Sequence, residues 1–517
     1  MRKLFTLLLA LAIALLPVAS FAIDYPIETD KTLTIWRVLD GSIAGGGYTT
    51  SNDTPGFKAW QEGSGIKAEI REFADNNALL LALNGGTELP DIIQITANNY
   101  KGNVMGMVND ELIIEITPEM FEAYAPDFWA FAQSNPMYMD LMQQLNGKVY
   151  CACTQLFEID SIYRYWRGFF YREDLLKNAG WEKFPETADE FYTCLKDLKA
   201  AGVTTPLVFQ GKDDLRECLK NGDLTSPFGL VCANEFQVDG KWHYGAADPE
   251  YKDVLAFMNK LYKEELISVD YLAMEEATSR AMLCNGEAAI MYGNNSRLNT
   301  YVSSLPEGAS LGAGAPLHKA DGSRAYYSFG DPMMSNDNTF YITADSENVE
   351  LALEFGNYLF TEKGNLVRNF GTEGRSYEMV DGIPTYSDFV LNNPDGYTMD
   401  GVARSEALIN WPGIHDDNQL RQRHPEQSQI TAYEKWSDTD HDQYVVTHTA
   451  VLDEYLDDYA NLWTDIELYI NECRAKFISG EMDVETQFDE YLSQLQKMGM
   501  DKVVEYKQAT LDAYAAR

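Results

Sequence analysis

Basic residues are scarce. The 517-residue sequence holds 40 lysines and arginines against 80 aspartates and glutamates, a formal net charge of −40. A chain this acidic repels phosphate backbones and anionic headgroups, which argues against nucleic acid and membrane surfaces as ligands. Histidine is scarcer still, at six residues, and neither a His-Glu-x-x-His helix nor a Gly-x-Ser-x-Gly elbow is present. The common zinc and serine hydrolase motifs are therefore missing. The glycine-rich piece GSIAGGGYTT lacks the Gly-Lys-Ser/Thr ending of a phosphate-binding loop and the spacing of a dinucleotide fingerprint, and it reads as a plain loop. Seven cysteines are far too few for a disulfide scaffold, and their odd number leaves at least one unpaired within the chain. Cys151 and Cys153, on one face of an expected strand, suit a structural role better than a metal or a mutual bridge. There is no internal repeat and no low-complexity tract, and no stretch past the first residues is long and apolar enough to span a membrane.

The N-terminus reads as a secretory signal. Arg2 and Lys3 precede an apolar run over 4–16, interrupted only by Thr6 and followed by PVASFA with Ser20 and Ala22 at the small positions before a cut. Residues 1–22 are expected to be a signal peptide, with a mature start at Ile23 and an exported, soluble product. The remaining chain is too long for one core, so more than one domain is expected.

Short apolar runs alternate with helical patterns. TLTIWRVLDG, IKAEIREFA, LPDIIQIT and GKVYCACTQ read as strands, with FKAWQEGSG and NALLLALNGG as helices between them. This α/β alternation predicts a largely parallel sheet. Thr187 and Glu190 form a Thr-x-x-Glu capping box ahead of a stripe of Phe191, Leu195 and Leu198 that stops at Gly202. A second α/β series follows, including a helix over 347–362 with Gly364 at its C-cap. Long helical patterns over 452–477 and from Val484 onward close the chain.

Several stretches together resemble the family 1 extracellular solute-binding proteins of carbohydrate ABC importers. FFYREDLLKNAGWEKFPETADEFYTCLKDLKAAG carries their aromatic-Tyr-Arg-x-Asp turn and Pro-x-Thr helix start, and MLCNGEAAIMYGNN their Gly-Glu, Ala-Ala and apolar-strand element. ALEFGNYLFTEKGNLVRNFGTEGRSYEMVDG, with the C-terminal YINECRAKFISGEMDVETQFDEYLSQLQKMGMDKVVEYKQA, is similar to a branch of large lipoprotein-like and alginate-oligosaccharide binders. Two departures stand out. Ile23 replaces the lipobox cysteine of many relatives, so no lipid anchor is expected and the protein would be periplasmic or secreted. The segment LVFQGKDDLRECLKNGDLTSPFG lacks alternating calcium ligands, and the Asp438–Asp440–Asp442 stretch lacks the glycine and glutamate of a calcium loop, so no metal is expected and the latter reads as a solvated acidic loop.

The resemblance implies an α/β fold of two lobes joined by three crossings, with a helical C-terminal extension, acting as a monomer without a cofactor. The expected lobes are 23–155 with 330–371, and 156–329 with 372–517; the expected crossings lie near 154–160, 327–331 and 370–375. In the last, Gly371 and Gly374 would let the backbone bend, and Glu373 would either face the ligand or pair with Arg375 or another cation and only fix the hinge. Such a protein works by hinge closure on a guest, an oligosaccharide here, and delivers it to a membrane permease.

Sugar sites pair amides and acids with aromatic platforms, and in α/β clefts they sit at the carboxyl ends of strands. The expected ligand contacts are Trp36 and Asp40 from the first strand, and Asn98, Asn99 and Tyr100 after DIIQIT. To these are added Gln155 and Glu158 in the first crossing, Tyr292, Asn294 and Asn295 after AAIM, Glu373, and Trp411 as the stacking aromatic. For each aromatic, core packing is the competing role. A peptide or other polar solute is the alternative guest on this fold. A glycoside hydrolase is the rival class, since 80 acids could supply two carboxylates across a cleft.

Overall fold

The apolar runs read as strands do form strands, in two separate sheets. The structure is a computed structural model that describes residues 23–517 apart from 87, 329, 331–333 and 425. The expected signal peptide, 1–22, lies outside the described residues, as does part of the crossing expected at 327–331.

The first sheet has six strands in the order Gly413–Ile414, Cys151–Leu156, Met334–Ile342, Ile92–Ile95, Thr32–Val38, Lys67–Phe73. Thr32–Val38 pairs in parallel with both Lys67–Phe73 and Ile92–Ile95, as the alternation predicts. Met334–Ile342 is antiparallel to both of its neighbours because the chain enters it on its return from the second lobe. The second sheet, in the order Leu311–Gly314, Arg167–Arg172, Ile290–Asn294, Leu207–Phe209, departs further from expectation. Only Leu207–Phe209 and Ile290–Asn294 run parallel; Arg167–Arg172 is antiparallel to both of its partners.

Each sheet carries its own core. Leu33, Ile35, Phe57, Trp60 and Phe340 anchor the first, and Phe169, Phe191, Leu195, Met258 and Phe477 the second. The capping box forms as predicted: Thr187 Oγ1 accepts from the Glu190 amide at 3.2 Å, and Glu190 Oε2 accepts from the Thr187 amide at 3.3 Å. The single helix expected over 347–362 is instead broken. Val349–Asn357 tightens into a 3₁₀ turn, and a new helix, Glu362–Phe370, starts from Thr361, whose Oγ1 accepts from the Gly364 amide at 3.0 Å. Thr361 followed by Glu362 is an N-cap signal, and it outweighs the C-cap reading of Gly364.

After Phe370 the chain does not cross to the second lobe. Residues 371–410 hold enough apolar side chains to need a core of their own, and Phe370, Tyr377, Tyr386, Val390, Val402 and Ile409 supply it. This small unit lies against the first lobe. Gly45 and Gly46 meet Gly401 so closely that a Cβ on Gly46 would stand 2.1 Å from Ser405 Oγ. The glycine-rich loop thus serves the close approach of two backbones. Gly413–Ile414 then pairs with Cys151–Leu156 in the first sheet, although 372–517 was expected in the second lobe. The chain joins the second lobe at Gln427–Trp436, whose Trp436 is fully buried there.

Three helices, Leu456–Ser479, Val484–Lys497 and Met500–Ala515, form the C-terminal extension and bury Ile466, Ile470, Phe488 and Val503 against the second lobe. The extension also touches the first lobe: Arg517 and His448 both hold Asp140, and Asn109 donates to Asp453 at 2.9 Å. Among the described residues no helix is long and apolar enough to cross a membrane. All seven cysteines are buried thiols.

Candidate ligand cleft

Because Leu156 ends one strand of the first sheet and Arg167 begins one of the second, the segment 157–166 joins the carboxyl edge of the first sheet to the edge of the second. At the first edge, Asp40 lies two residues beyond its strand. Its carboxylate accepts from the Ser42 amide at 2.9 Å and from Asn410 Nδ2 at 2.6 Å. Burial pushes this acid up, but the hydrogen bonds from Ser42 and Asn410 and the charge of Arg37 outweigh burial and hold it below the usual range. Asn410 Oδ1 accepts from Arg404 Nη1 at 2.7 Å, Arg404 Nε donates to Asp400 at 2.8 Å, and Arg423 closes the chain on the other Asp400 oxygen. A ladder of charged and amide groups therefore runs along the edge from Asp40 to Arg423. Sequence reasoning missed Asn410, Arg404, Asp400 and Arg423, since they come from separate elements and meet only in the folded chain.

The residues expected inside strands have other roles. Gln155 is buried, and its Nε2 donates to the carbonyls of Ile409 and Trp411, both at 3.2 Å. Gln94 reaches the Asn410 carbonyl at 3.3 Å, and Arg368 Nη2 donates to the Ile409 carbonyl at 3.0 Å. The segment 408–412 is thus pinned across the ends of the first-lobe strands. Its Trp411 is 6 % exposed, stacks on Phe57 at 5.5 Å and lies under the Arg37 guanidinium at 4.1 Å. Trp36 is also buried, edge-on to Phe73 and covered by Arg71. Tyr100 folds back to donate to Asp110 at 2.7 Å. Asn98 and Asn99 stay exposed in the turn after Ile92–Ile95.

Glu158 is exposed two residues beyond Leu156, and burial together with the neighbouring charges of Asp417 and Asp160 raises its pKa. At the second edge, Asn294 is half-buried; its amide donates to Gln210 Oε1 at 2.9 Å and its Oδ1 accepts from the Ser296 amide at 2.8 Å. Arg167, its register partner, pairs with Asp214 at 2.8 Å, a pair the sequence reading also missed. Tyr292 is fully buried and donates to Asp223 at 3.0 Å. Asn295 is likewise buried, in reciprocal bonds with Gln429. Glu373 is exposed in a turn of the small unit, and Arg375 pairs with the buried Glu406 at 2.7 Å instead. The acidic loop is not simply solvated: Asp440 binds Lys319 and Arg324, and Asp442 binds Arg164.

Two lobes, each with a sheet whose edge presents polar side chains, and a helical C-terminal extension are the architecture of a solute-binding protein. Residues 46–366, more than half of the chain, match the bacterial extracellular solute-binding protein family, and the chain belongs to that family. It is 24 % identical over 478 residues to lipoprotein LipO of Bacillus subtilis (strain 168), covering 88 % of each protein. Its fold is similar to that of the alginate-binding protein AlgQ2, with a TM-score of 0.68 at 21 % identity, covering 94 % of this chain and 99 % of the other. The S. pneumoniae ABC-transporter substrate binding protein FusA in complex with kestose matches with a TM-score of 0.68 at 18 % identity, over 94 % of this chain and 100 % of the other.

Proposed function

We propose that this chain is the substrate-binding protein of an ABC importer and closes its two lobes on an oligosaccharide. The observation that carries this reading is the set of amides and acids at the carboxyl ends of the strands of both sheets: exposed Asn98, Asn99 and Glu158 and half-buried Asp40 from the first lobe, and half-buried Asn294 from the second. Amides and carboxylates in that arrangement match the dense hydroxyl donors and acceptors of a sugar. The fold likeness to FusA in complex with kestose and to alginate-binding AlgQ2 supports the same guest class.

The lobes pivot, in this reading, on three crossings, of which 157–166 lies wholly among the described residues. The first lobe then includes 408–414 and the small unit, and the second holds the C-terminal helices. Guest contacts from both lobes exist only when closed, so binding shifts the population, and a shift from mostly open to mostly closed takes roughly 5 kcal/mol of preference. The closed form is what a membrane permease would accept.

The test is a melting-temperature screen of the mature protein against a glycan panel, with mass spectrometry of any guest carried through purification. A saturable rise with one oligosaccharide class is expected. A released peptide, or cleavage of the glycan, would overturn the assignment.

A further inference from the structure

A strand at the edge of a sheet leaves a row of backbone donors and acceptors without partners, an open template for another chain. The first sheet ends on one side in Gly413–Ile414, too short to serve, and on the other in the seven-residue strand Lys67–Phe73. Thr32–Val38 pairs with that strand in parallel along its whole length, and the Phe73 carbonyl accepts from the Leu39 amide at 2.9 Å. Backbone groups alternate sides along a strand. Those of Lys67, Glu69, Arg71 and Phe73 therefore face the sheet, and those of Ala68, Ile70 and Glu72 turn outward.

No strand among the described residues takes up these outward groups; two side-chain amides do. Asn52 Nδ2 donates to the Ile70 carbonyl at 2.8 Å, and the Ile70 amide donates to Asn52 Oδ1 at 2.9 Å. The Ala68 amide donates to Gln61 Oε1 at 3.0 Å. Exchanging both bonds with one residue is what an antiparallel neighbour does at a hydrogen-bonded pair, and the Asn52 carboxamide copies it. Glu72 holds the turn that carries Asn52: its carboxylate accepts from the Ser51 hydroxyl at 2.6 Å and from the Ser51 amide at 3.2 Å. A groove of about 520 Å³ lined by Asn52, Gln61, Glu69, Ile70 and Arg71 runs beside the strand, so this edge borders open space.

The strand KAEIREF is also complementary to itself. Laid antiparallel about Ile70, two copies set Glu69 of each opposite Arg71 of the other, and both side chains are exposed. We propose that Asn52 and Gln61 guard this edge against a second copy of the same chain, occupying the positions that its Lys67–Phe73 would fill in a two-fold strand pairing. That pairing would fuse two six-stranded sheets into one; with the guard in place the first lobes stay separate.

Sedimentation velocity of the full mature chain over a range of concentrations tests this. The unaltered chain should sediment as a monomer, and Asn52→Ala with Gln61→Ala should raise the average mass with concentration, up to about twofold. Glu69→Lys added to that pair sets like charges opposite each other and should restore the monomer, and a further Arg71→Glu should bring the dimer back. Glu69 and Arg71 are exposed, so these two changes leave the fold intact, which circular dichroism checks. Hydrogen exchange in the unaltered chain gives a reading that no variant has to fold for: the Ile70 amide should exchange slowly, and exchange at the rate of a free amide would overturn the guard. So would a double variant that stays folded and monomeric, or an association that Glu69→Lys leaves unchanged.

Discussion

The two lobes spend similar polar residues differently at their facing edges. In the first, Gln94 and Gln155 point from their strands into a segment more than 250 residues further on and fasten it by its carbonyls. In the second, Tyr292, Asn295 and Gln210 close on partners within their own lobe: Asp223, Gln429 and Tyr301. In both lobes, residues inside a strand are consumed by packing: Trp36, Gln155 and Tyr292 are all buried. Residues two or more positions beyond a strand end, such as Asp40, Asn98, Asn99 and Glu158, reach solvent. Distance past the strand end, more than residue type, separates side chains available to a guest from those already engaged; Tyr100, which turns back to Asp110, Asp40, held by Ser42 and Asn410, and Asn294, half-buried at the last position of its strand, depart from this rule.

The sharpest way to break this contrast is at the tryptophans. Trp411→Ala removes a ring packed on Phe57 and Arg37 and should cost about 3–5 kcal/mol, confined to the first lobe's unfolding transition. Trp436→Ala should cost a similar amount in the second lobe's transition, since its Nε1 donates to the Phe169 and Gly314 carbonyls there. Denaturant unfolding followed by lobe-specific probes separates the two. Lost sugar affinity at unchanged stability in Trp411→Ala would make the ring a ligand platform after all.

A smaller effect is expected at Gln155. Gln155→Ala strips the donor from two buried carbonyls and should lower stability by about 1–3 kcal/mol, read as a urea midpoint shift at constant slope. Asn294→Ala, at the other edge, should cost about 0.5–1 kcal/mol, because its backbone amide keeps the bond to Gln210 and only the Oδ1 cap on the Ser296 amide is lost. Equal losses in the two variants would erase the contrast between the lobes.

Much of the fold was legible because its signals are local. Alternating and apolar runs marked the strands, and Thr187 with Glu190 marked a helix start that forms as read. What misled was any signal that depends on partners distant in sequence. Nothing in NFGTEGRSY tells that 371–410 will fold against the first lobe, because that rests on Gly45 and Gly46 meeting Gly401. Trp411 between Asn410 and Pro412 has polar neighbours in sequence but aromatic ones in space. The Asp40 to Arg423 ladder is invisible for the same reason: its members come together only once the small unit is docked.

The exposed amides sharpen the comparison from the side of function. Asn98→Ala with Asn99→Ala should leave stability within about 0.5 kcal/mol, since both side chains are exposed, yet weaken oligosaccharide binding about tenfold or more in calorimetric titration. An affinity equal to that of the unaltered protein would move the guest away from this turn.

The smallest effect separates the two edges by sign. Burial pushes the Asp400 carboxyl up, but Arg423 and Arg404 outweigh it and hold it at about 2. An acid depressed by folding adds stability that is present above its unfolded value, near 4, and lost as pH falls toward about 2. At Asp214 the balance is reversed: burial outweighs the Arg167 charge and raises the pKa. An acid raised by folding takes up its proton first in the folded state, so stability grows as pH falls from that raised value to about 4. Mild acidification should therefore firm the second lobe before stronger acid loosens the first. The Asp400 side chain is 52 % exposed, so its share should not exceed about 1 kcal/mol. Arg404→Met isolates that share: losing the bond to Asn410 lowers stability by a constant amount at every pH, whereas losing the pairing with Asp400 flattens the slope between pH 4 and 2. A variant curve running parallel to the unaltered one through that window would remove Asp400 from the first lobe's acid response.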